Sequence, residues 1–204
     1  GLWAGDEQVH FGDPTRGSEL CTAVEMMYSL EEMLQATADL QWADHLERVA
    51  YNALPTQATD AYDGRQYYQQ TNQIACSREW RNFVTQHEDD DNVFGVLNGY
   101  PCCSCNMHQG WPKFTQNLWY ASRDGGLAAF VYAPSTVTAK VAEGVEVSLK
   151  QETFYPFDET VKVTVNFPSK KVKSAYFPLY FRIPEWCGAA QVLVNGEAAC
   201  DAPM

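Results

Sequence analysis

The sequence predicts an α+β chain in which helices come first and β-strands follow. Residues 19–54 carry apolar side chains at helical spacing, whereas after Arg123 apolar and polar residues alternate. The alternating stretches are short and are separated by Pro or Gly, a pattern typical of an antiparallel β-sandwich. We therefore expect two domains, formed by residues 1–121 and residues 122–204.

Two helices account for the apolar pattern of residues 19–54. Residues 38–40 separate them, and Pro55 ends the second. A third helix is predicted over residues 106–119, although Gly110 and Pro112 interrupt it early. The apolar positions of the first two helices are Val24, Met27, Tyr28 and Leu34, followed by Trp42, Leu46, Val49 and Ala53.

The segment of residues 56–101 is polar and shows no clear period. A segment of that length usually shapes a functional surface or packs as irregular structure. We interpret its acidic run, residues 88–91, as a solvated loop.

The second half alternates as β-strands do, and its Asn195-Gly196 pair predicts a tight turn. Three helices before this half would leave apolar faces uncovered, and the chain begins at Gly1 without a leader. We therefore expect a fragment of a larger protein. The predicted strands are residues 127–132, 145–152, 160–166, 176–183 and 191–194.

The composition excludes several classes of protein. Apolar residues make up 46% and aromatic residues 13% of the chain, which predicts a packed core rather than disorder. The 26 acidic and 14 basic residues leave a net charge of −12, which argues against nucleic acid or an anionic membrane as a partner. No apolar stretch approaches the ~20 residues that span a bilayer. The compartment, extracellular or cytoplasmic, and the oligomeric state stay open.

Seven cysteines are too few for a disulfide scaffold and too clustered to be scattered core residues. Glu19, Cys21, Cys102 and Cys103 supply one carboxylate and three thiolates, a set that suits four-coordinate zinc. Glu19 and Cys21 can reach one ion only from a turn or an extended entry to the first helix. The alternatives are a disulfide from Cys102 or Cys103 to Cys76 or Cys105, or a buried free thiol. Cys105 itself could replace a zinc ligand.

A zinc-bound thiolate also offers a nucleophile. Opposite it, a carboxylic acid can protonate a leaving group, which gives a retaining double displacement. Asp6, Glu7 and Glu47 are the candidates for that acid or for supporting hydrogen bonds, and the alternative for each is a surface carboxylate. His108, five residues after Cys103, is a candidate substrate contact. The other histidines, His10, His45 and His87, are interpreted as packed or surface residues.

Several motifs in order resemble glycoside hydrolase family 127, the β-L-arabinofuranosidase family. They are GSELC at residues 17–21, WADHLERVAYNALP at 42–55, CCSCNMHQGWPKF at 102–114, and LYFRIPEW at 179–186 followed by VNG at 194–196. The resemblance implies a multidomain fragment: the C-terminal part of an (α/α)₆ barrel followed by a β-sandwich. It also implies a carbohydrate substrate, L-arabinofuranoside or a related glycan.

The resemblance also implies roles for individual residues. It makes Glu19, Cys21, Cys102 and Cys103 the zinc ligands, and Cys102 the nucleophile. Glu47 matches a second active-site glutamate. The acid/base falls on Glu7, with Asp6 as its rival. Cys105 stands where characterised members have no cysteine, and the substrate-binding histidines of the family lie upstream of this chain.

The leading hypothesis is therefore a zinc-dependent retaining glycosidase, although the fragment alone is expected to lack part of its barrel. Two rivals remain at this point. One is a non-catalytic zinc-stabilised module that binds carbohydrate or serves as a scaffold. The other is a disulfide-bonded secreted domain without metal.

Overall fold

A computed structural model describes Glu7, residues 15–71, residues 73–142 and residues 144–201, without the side chains of Cys200 and Asp201. The expected Asp6 therefore lies outside the described residues. The chain divides into two compact units. The first holds the described residues up to Ala38 together with His45–Asn117, and the second holds Asp39–Asp44 and the chain from Leu118 onward.

The first unit contains helices and one small sheet, which confirms the α+β class. Strand β1 (Gly17–Glu19) pairs antiparallel with β2 (Tyr68–Gln70). Helix α1 (Leu20–Thr37) ends where Ala38 adopts a left-handed conformation and donates its N–H to the Leu34 carbonyl. The remaining helical elements are α2 (Leu40–Arg48), which begins in the second unit, a π-helical turn (Val49–Ala53), a 3₁₀ turn (Pro55–Gln57) and α3 (Cys102–Gln116).

Helix α3 differs from the predicted third helix. It begins at Cys102 rather than at residue 106, directly after Pro101, and it contains Pro112 in its interior. Gly110 was expected to interrupt the helix. It lies inside α3 instead, and because glycine has no side chain it allows close packing there. A Cβ atom there would lie 2.7 Å from Leu54 Cδ2 and 3.4 Å from Val24 Cγ2. Tertiary contact therefore favours glycine at this position over its low helix propensity.

The polar segment between α2 and α3 packs as irregular structure around buried polar groups. The Arg65 side chain donates hydrogen bonds to Ser104 Oγ and to the carbonyls of Asn98 and Tyr100. The interpretation of residues 88–91 as a solvated loop was wrong for Asp91, which is fully buried. The Asp91 carbonyl accepts the N–H groups of Tyr67 and Tyr68 at 3.0 and 2.9 Å, so its backbone is tied to the start of β2.

The second unit is built of β-strands, as predicted, although several bounds differ. The Asn195-Gly196 turn joins β9 and β10 with positive φ at both residues, as a two-residue hairpin requires. Strand β5 was not predicted, and the strand expected over residues 176–183 is confined to β8. The strands are β3 (Trp119–Ala121), β4 (Leu127–Ala129), β5 (Ser135–Val141), β6 (Val145–Thr153), β7 (Val161–Asn166), β8 (Leu179–Phe181), β9 (Gln191–Val194) and β10 (Glu197–Asp201).

Two three-stranded sheets, β3-β4-β8 and β5-β6-β7, contribute to one core in this unit. Leu127 of β4 packs with Val141, Val147 and Leu149 of the other sheet, as the two layers of a sandwich do. The expectation of purely antiparallel pairing was wrong, because β4 and β8 pair in parallel. The long connection between these two strands permits parallel pairing. No helix among the described residues has the length and apolar character needed to cross a membrane.

Candidate metal centre and active site

The junction between β1 and α1 places Glu19 and Cys21 on the same site. Glu19 has an extended backbone (φ −72°, ψ 142°) and directly precedes the helix that contains Cys21. Pairing of Glu19 with Tyr68 and the hydrogen bond from Leu20 N–H to the Tyr67 carbonyl hold this junction against β2. Glu19 and Cys21 are two residues apart and were expected to reach one ion only from a turn or an extended entry to the helix. The change from strand to helix at Glu19 provides that extended entry.

The first turn of α3 supplies the other two candidate ligands. Cys102 Sγ lies 3.4 Å from Glu19 Oε1, and Cys103 Sγ lies 3.6 Å from the same oxygen. The sulfurs of Cys21 and Cys103 are 3.4 Å apart, and those of Cys102 and Cys103 are 4.0 Å apart. All four ligand atoms lie within 4.8 Å of one another, and Glu19 and Cys103 are buried.

These separations fit the zinc set that the sequence predicts. Tetrahedral zinc with bonds of ~2.0–2.3 Å places its ligand atoms about 3.5–3.8 Å from one another. A disulfide would require about 2.0 Å between two sulfurs. Each of the six cysteines whose side chains are described is a free thiol, so no disulfide of Cys102 or Cys103 to Cys76 or Cys105 is present.

Burial and mutual contact shift the acidity of the three thiols. The hydrogen bond with Cys103 lowers the pKa of Cys21, and Asn106 Nδ2, 3.1 Å from the Cys21 sulfur, lowers it further. The same Cys21 contact, with burial, raises the pKa of Cys103. Burial raises the pKa of Cys102 to about 12. Three thiolates beside a carboxylate therefore need a compensating cation.

Tyr67 connects this cluster to Glu7. Its hydroxyl donates a hydrogen bond to Glu7 Oε1, and the Cys102 sulfur lies 4.0 Å from the same hydroxyl oxygen. Tyr67 is fully buried, and burial together with the bond to Glu7 raises its pKa, so the phenol stays a donor. Glu7 has a φ of 62°, a conformation that a glutamate adopts only where its surroundings hold it.

A family model described as "Beta-L-arabinofuranosidase, GH127 catalytic domain" matches residues 6–116, more than half of the chain. The chain belongs to the GH127 β-L-arabinofuranosidase family. A second model, the GH127 middle domain, matches residues 126–203. The two models thus cover the helical and the β part of the chain separately.

Two solved structures and one curated protein are similar to this GH127 chain. The chain is 30% identical over 191 residues to a non-reducing end β-L-arabinofuranosidase of Bifidobacterium longum subsp. longum, covering 91% of this chain and 27% of that protein. A GH127 β-L-arabinofuranosidase of Geobacillus stearothermophilus T6 matches with a TM-score of 0.76 at 24% identity, over 98% of this chain and 31% of the other. A structure described as a glycoside hydrolase matches with a TM-score of 0.71 at 25% identity, over 90% and 29%. The GH127 chain thus spans about a quarter of the length of the curated relative.

The remaining candidate residues occupy different places in the GH127 chain. Glu47 is buried in α2. Burial of Tyr51 raises the pKa of its phenol to about 12, and the charge of Glu47 is the second cause of this rise. His108 and Cys105 lie on α3 and are exposed. Cys105 is outside the group of four that could hold a metal.

Tyr67 was not predicted as a site residue, and His87, expected to be a packed or surface residue, packs against Tyr67 and Tyr100 beside Glu7. The His87 Nε2 atom lies 3.2 Å from Tyr67 Oη and 3.6 Å from Glu7 Oε1. Tyr67 and His87 lie in the polar segment of residues 56–101, which has no hydrophobic period. Their place in the candidate site is therefore evident only from their contacts with Glu7. The one sequence signal near them was the length of that polar segment, which is typical of a functional surface.

Proposed function

We propose that this GH127 chain carries the catalytic residues of a retaining glycoside hydrolase that acts on β-L-arabinofuranosides or a related glycan. The observation that carries the proposal is the single hydroxyl of Tyr67 between Cys102 and Glu7. Around it, the four ligand atoms of Glu19, Cys21, Cys102 and Cys103 gather within 4.8 Å. The curated relative, a non-reducing end β-L-arabinofuranosidase, supports the substrate class.

In this proposal Cys102 is the nucleophile and Glu7 is the acid and then the base. The sulfur of Cys102 attacks the anomeric carbon while the leaving oxygen takes the proton of Glu7. Glu7 then removes a proton from water, which displaces Cys102 and restores its sulfur. A zinc ion held by Glu19, Cys21, Cys102 and Cys103 would keep the thiols deprotonated at neutral pH.

The spacing of the two groups favours retention of configuration. Retaining enzymes place their two catalytic groups ~5–5.5 Å apart, whereas inverting enzymes leave ~6.5–9.5 Å for a water molecule. Cys102 Sγ and Glu7 Oε1 both contact the Tyr67 hydroxyl oxygen, and this shared contact supports the shorter, retaining arrangement. Asp6 stays the rival acid. Glu47 is proposed as a supporting carboxylate, and His108 as a substrate contact.

Helices α1–α3 are proposed to belong to an (α/α)₆ barrel, and residues from about 122 onward to the β-sandwich that follows it.

The test combines metal analysis with trapping of the covalent intermediate in the intact protein. We expect about one zinc per chain, and a pentosyl adduct on the Cys102 peptide when Glu7→Gln is incubated with a dinitrophenyl β-L-arabinofuranoside. Cys102→Ser should lose both adduct and turnover, while Cys187→Ser, in the second unit, should keep both. Full turnover by Cys102→Ser would overturn the cysteine nucleophile. Zinc binding without turnover in wild type would favour the non-catalytic module.

A further inference from the structure

We propose that His87 is a positioning residue for the Glu7 carboxyl. This inference rests on the proposed function, because it assigns His87 a task only if Glu7 is the acid. His87 Nε2 lies 3.2 Å from Tyr67 Oη and 3.6 Å from Glu7 Oε1, so the ring edge reaches the two oxygens that define the acid's position.

The hydrogen-bond directions make His87 the donor. The Tyr67 hydroxyl proton is directed to Glu7 Oε1, and the two lone pairs of the phenol oxygen allow it to accept from His87 as well as from the Cys102 thiol at 4.0 Å. His87 Nε2–H can then donate to Tyr67 Oη. In a chain of hydrogen bonds from His87 to Tyr67 to Glu7, each bond polarises the next, so the bond from Tyr67 to the Glu7 carboxyl group becomes stronger.

Asp91 binds the backbone of two members of this chain, His87 and Tyr67. Its carboxylate Oδ2 accepts the backbone N–H of His87 at 3.0 Å, and its carbonyl accepts the Tyr67 N–H at 3.0 Å. Asp91 is fully buried, so these bonds are shielded from water. One buried residue thereby links the backbones of His87 and Tyr67.

Aromatic contacts fix the plane of the His87 ring. The ring meets Tyr67 edge to face at 5.1 Å and lies against Tyr100 at 5.4 Å between centroids. The side chains of His87 and Glu7 are 28% and 35% exposed, so the pair faces an open side that a substrate can approach. Packing and hydrogen bonding together leave Nε2 pointing at the oxygens that it is proposed to hold.

The distinguishing measurement is the dependence of rate on the leaving group. An alkyl arabinofuranoside needs a proton from the acid, whereas a dinitrophenyl arabinofuranoside leaves without one. His87→Phe keeps the ring contacts and removes the donor, and we expect its kcat/KM on the alkyl substrate to fall about tenfold or more. On the dinitrophenyl substrate it should stay within about twofold, because that step does not use the acid.

Two further variants complete the design. His87→Gln loses the ring but can place an amide N–H near Nε2, so it should recover part of the alkyl rate. Glu88→Ala, at an exposed neighbour in the same loop, is the matched control and should behave as wild type. Thermal unfolding of each variant shows whether the fold is retained.

The possible outcomes separate this inference from the proposed function. Equal losses on both substrates, a change in KM alone, or unchanged rates in His87→Phe would overturn the role of His87. If Glu7→Gln itself shows no dependence on the leaving group, the assignment of the acid fails instead. Selective loss in His87→Phe with partial recovery in His87→Gln supports the proposal.

Discussion

The sulfur atoms of Cys21 and Cys103 lie 3.4 Å apart although the two residues are separated by 82 positions in the chain. Packing of α1 against α3 joins them, with Gly110 allowing close approach to Val24 and Leu54. The candidate metal centre therefore depends on one helix–helix contact, because α3 supplies two of its four ligands and the β1–α1 junction supplies the other two.

The zinc ligand set can be tested by comparing two cysteines of the same helix. Cys103→Ser removes a buried ligand, and we expect zinc affinity to fall by more than about 100-fold. Cys105→Ser should leave it unchanged, because Cys105 is exposed and outside the group of four. Competition with a chromophoric chelator measures both affinities. Loss of affinity in Cys105→Ser would show that Cys105 has replaced one of the four.

Glu31 should make stability depend on pH. Its carboxylate is buried in α1, Oε2 accepts a bond from Asn117 at 3.0 Å, and Oε1 has no hydrogen-bond partner among the described residues. Burial raises its pKa from 4.5 to about 7. The folded state therefore binds the proton more tightly than the unfolded chain. As the pH rises from 4.5 to about 7, the free energy of unfolding should fall by about 3 kcal/mol.

Denaturant titrations across this pH range measure the Glu31 effect. Glu31→Gln should flatten the fall in unfolding free energy and stabilise the protein above pH 7. Glu25→Gln, at an exposed position of the same helix, should keep the wild-type slope. An unchanged slope in Glu31→Gln would contradict the assignment.

Gly99 combines a left-handed backbone with close neighbours. Its φ is 66°, and an added Cβ would lie 2.6 Å from Tyr67 Cβ and 2.7 Å from Asp91 Oδ1. We expect Gly99→Ala to cost about 2–4 kcal/mol of unfolding free energy, from backbone strain and overpacking together.

Gly144→Ala is the matched control for Gly99→Ala. Gly144 has a φ of 89° and nothing within 4 Å of the added Cβ, so only the strain remains, about 1 kcal/mol. Equal losses in the two variants, measured by denaturant unfolding, would show that crowding at Tyr67 and Asp91 contributes nothing.

The buried pair of Arg182 and Asp44 should stabilise the second unit. The Arg182 guanidinium donates to Asp44 Oδ1 and to the Phe130 carbonyl, and its side chain is fully buried. Asp44→Ala leaves that charge without its carboxylate, so we expect a loss of about 3–5 kcal/mol. Thermal unfolding provides the measurement.

Arg78→Ala provides the comparison for the buried pair. The Arg78 side chain is 62% exposed and pairs with Asp89 and Asp90 at 3.2 and 3.3 Å, so its removal should cost less than about 1 kcal/mol. A small loss in Asp44→Ala would mean that Arg182 finds a replacement acceptor.

Local patterns in the sequence predict the α+β class, the first two helices and the four candidate ligands. Helical and strand periods are local properties, and the ligand set follows from residue types at the start of α1 and α3. Local propensity also misled, because Gly110 and Pro112 indicated an interrupted helix where α3 is continuous. Packing against Leu54 outweighs that propensity.

The surroundings of Glu7 depend on contacts between distant parts of the chain. Tyr67, His87 and Asp91 stand in a segment without a period, so no repeat places them on a common face. Hydrogen bonds across 60 positions, from Tyr67 to Glu7, and across 20, from His87 to Tyr67, create the arrangement. Such contacts depend on how irregular backbone satisfies its buried polar groups, which is a property of the folded chain as a whole.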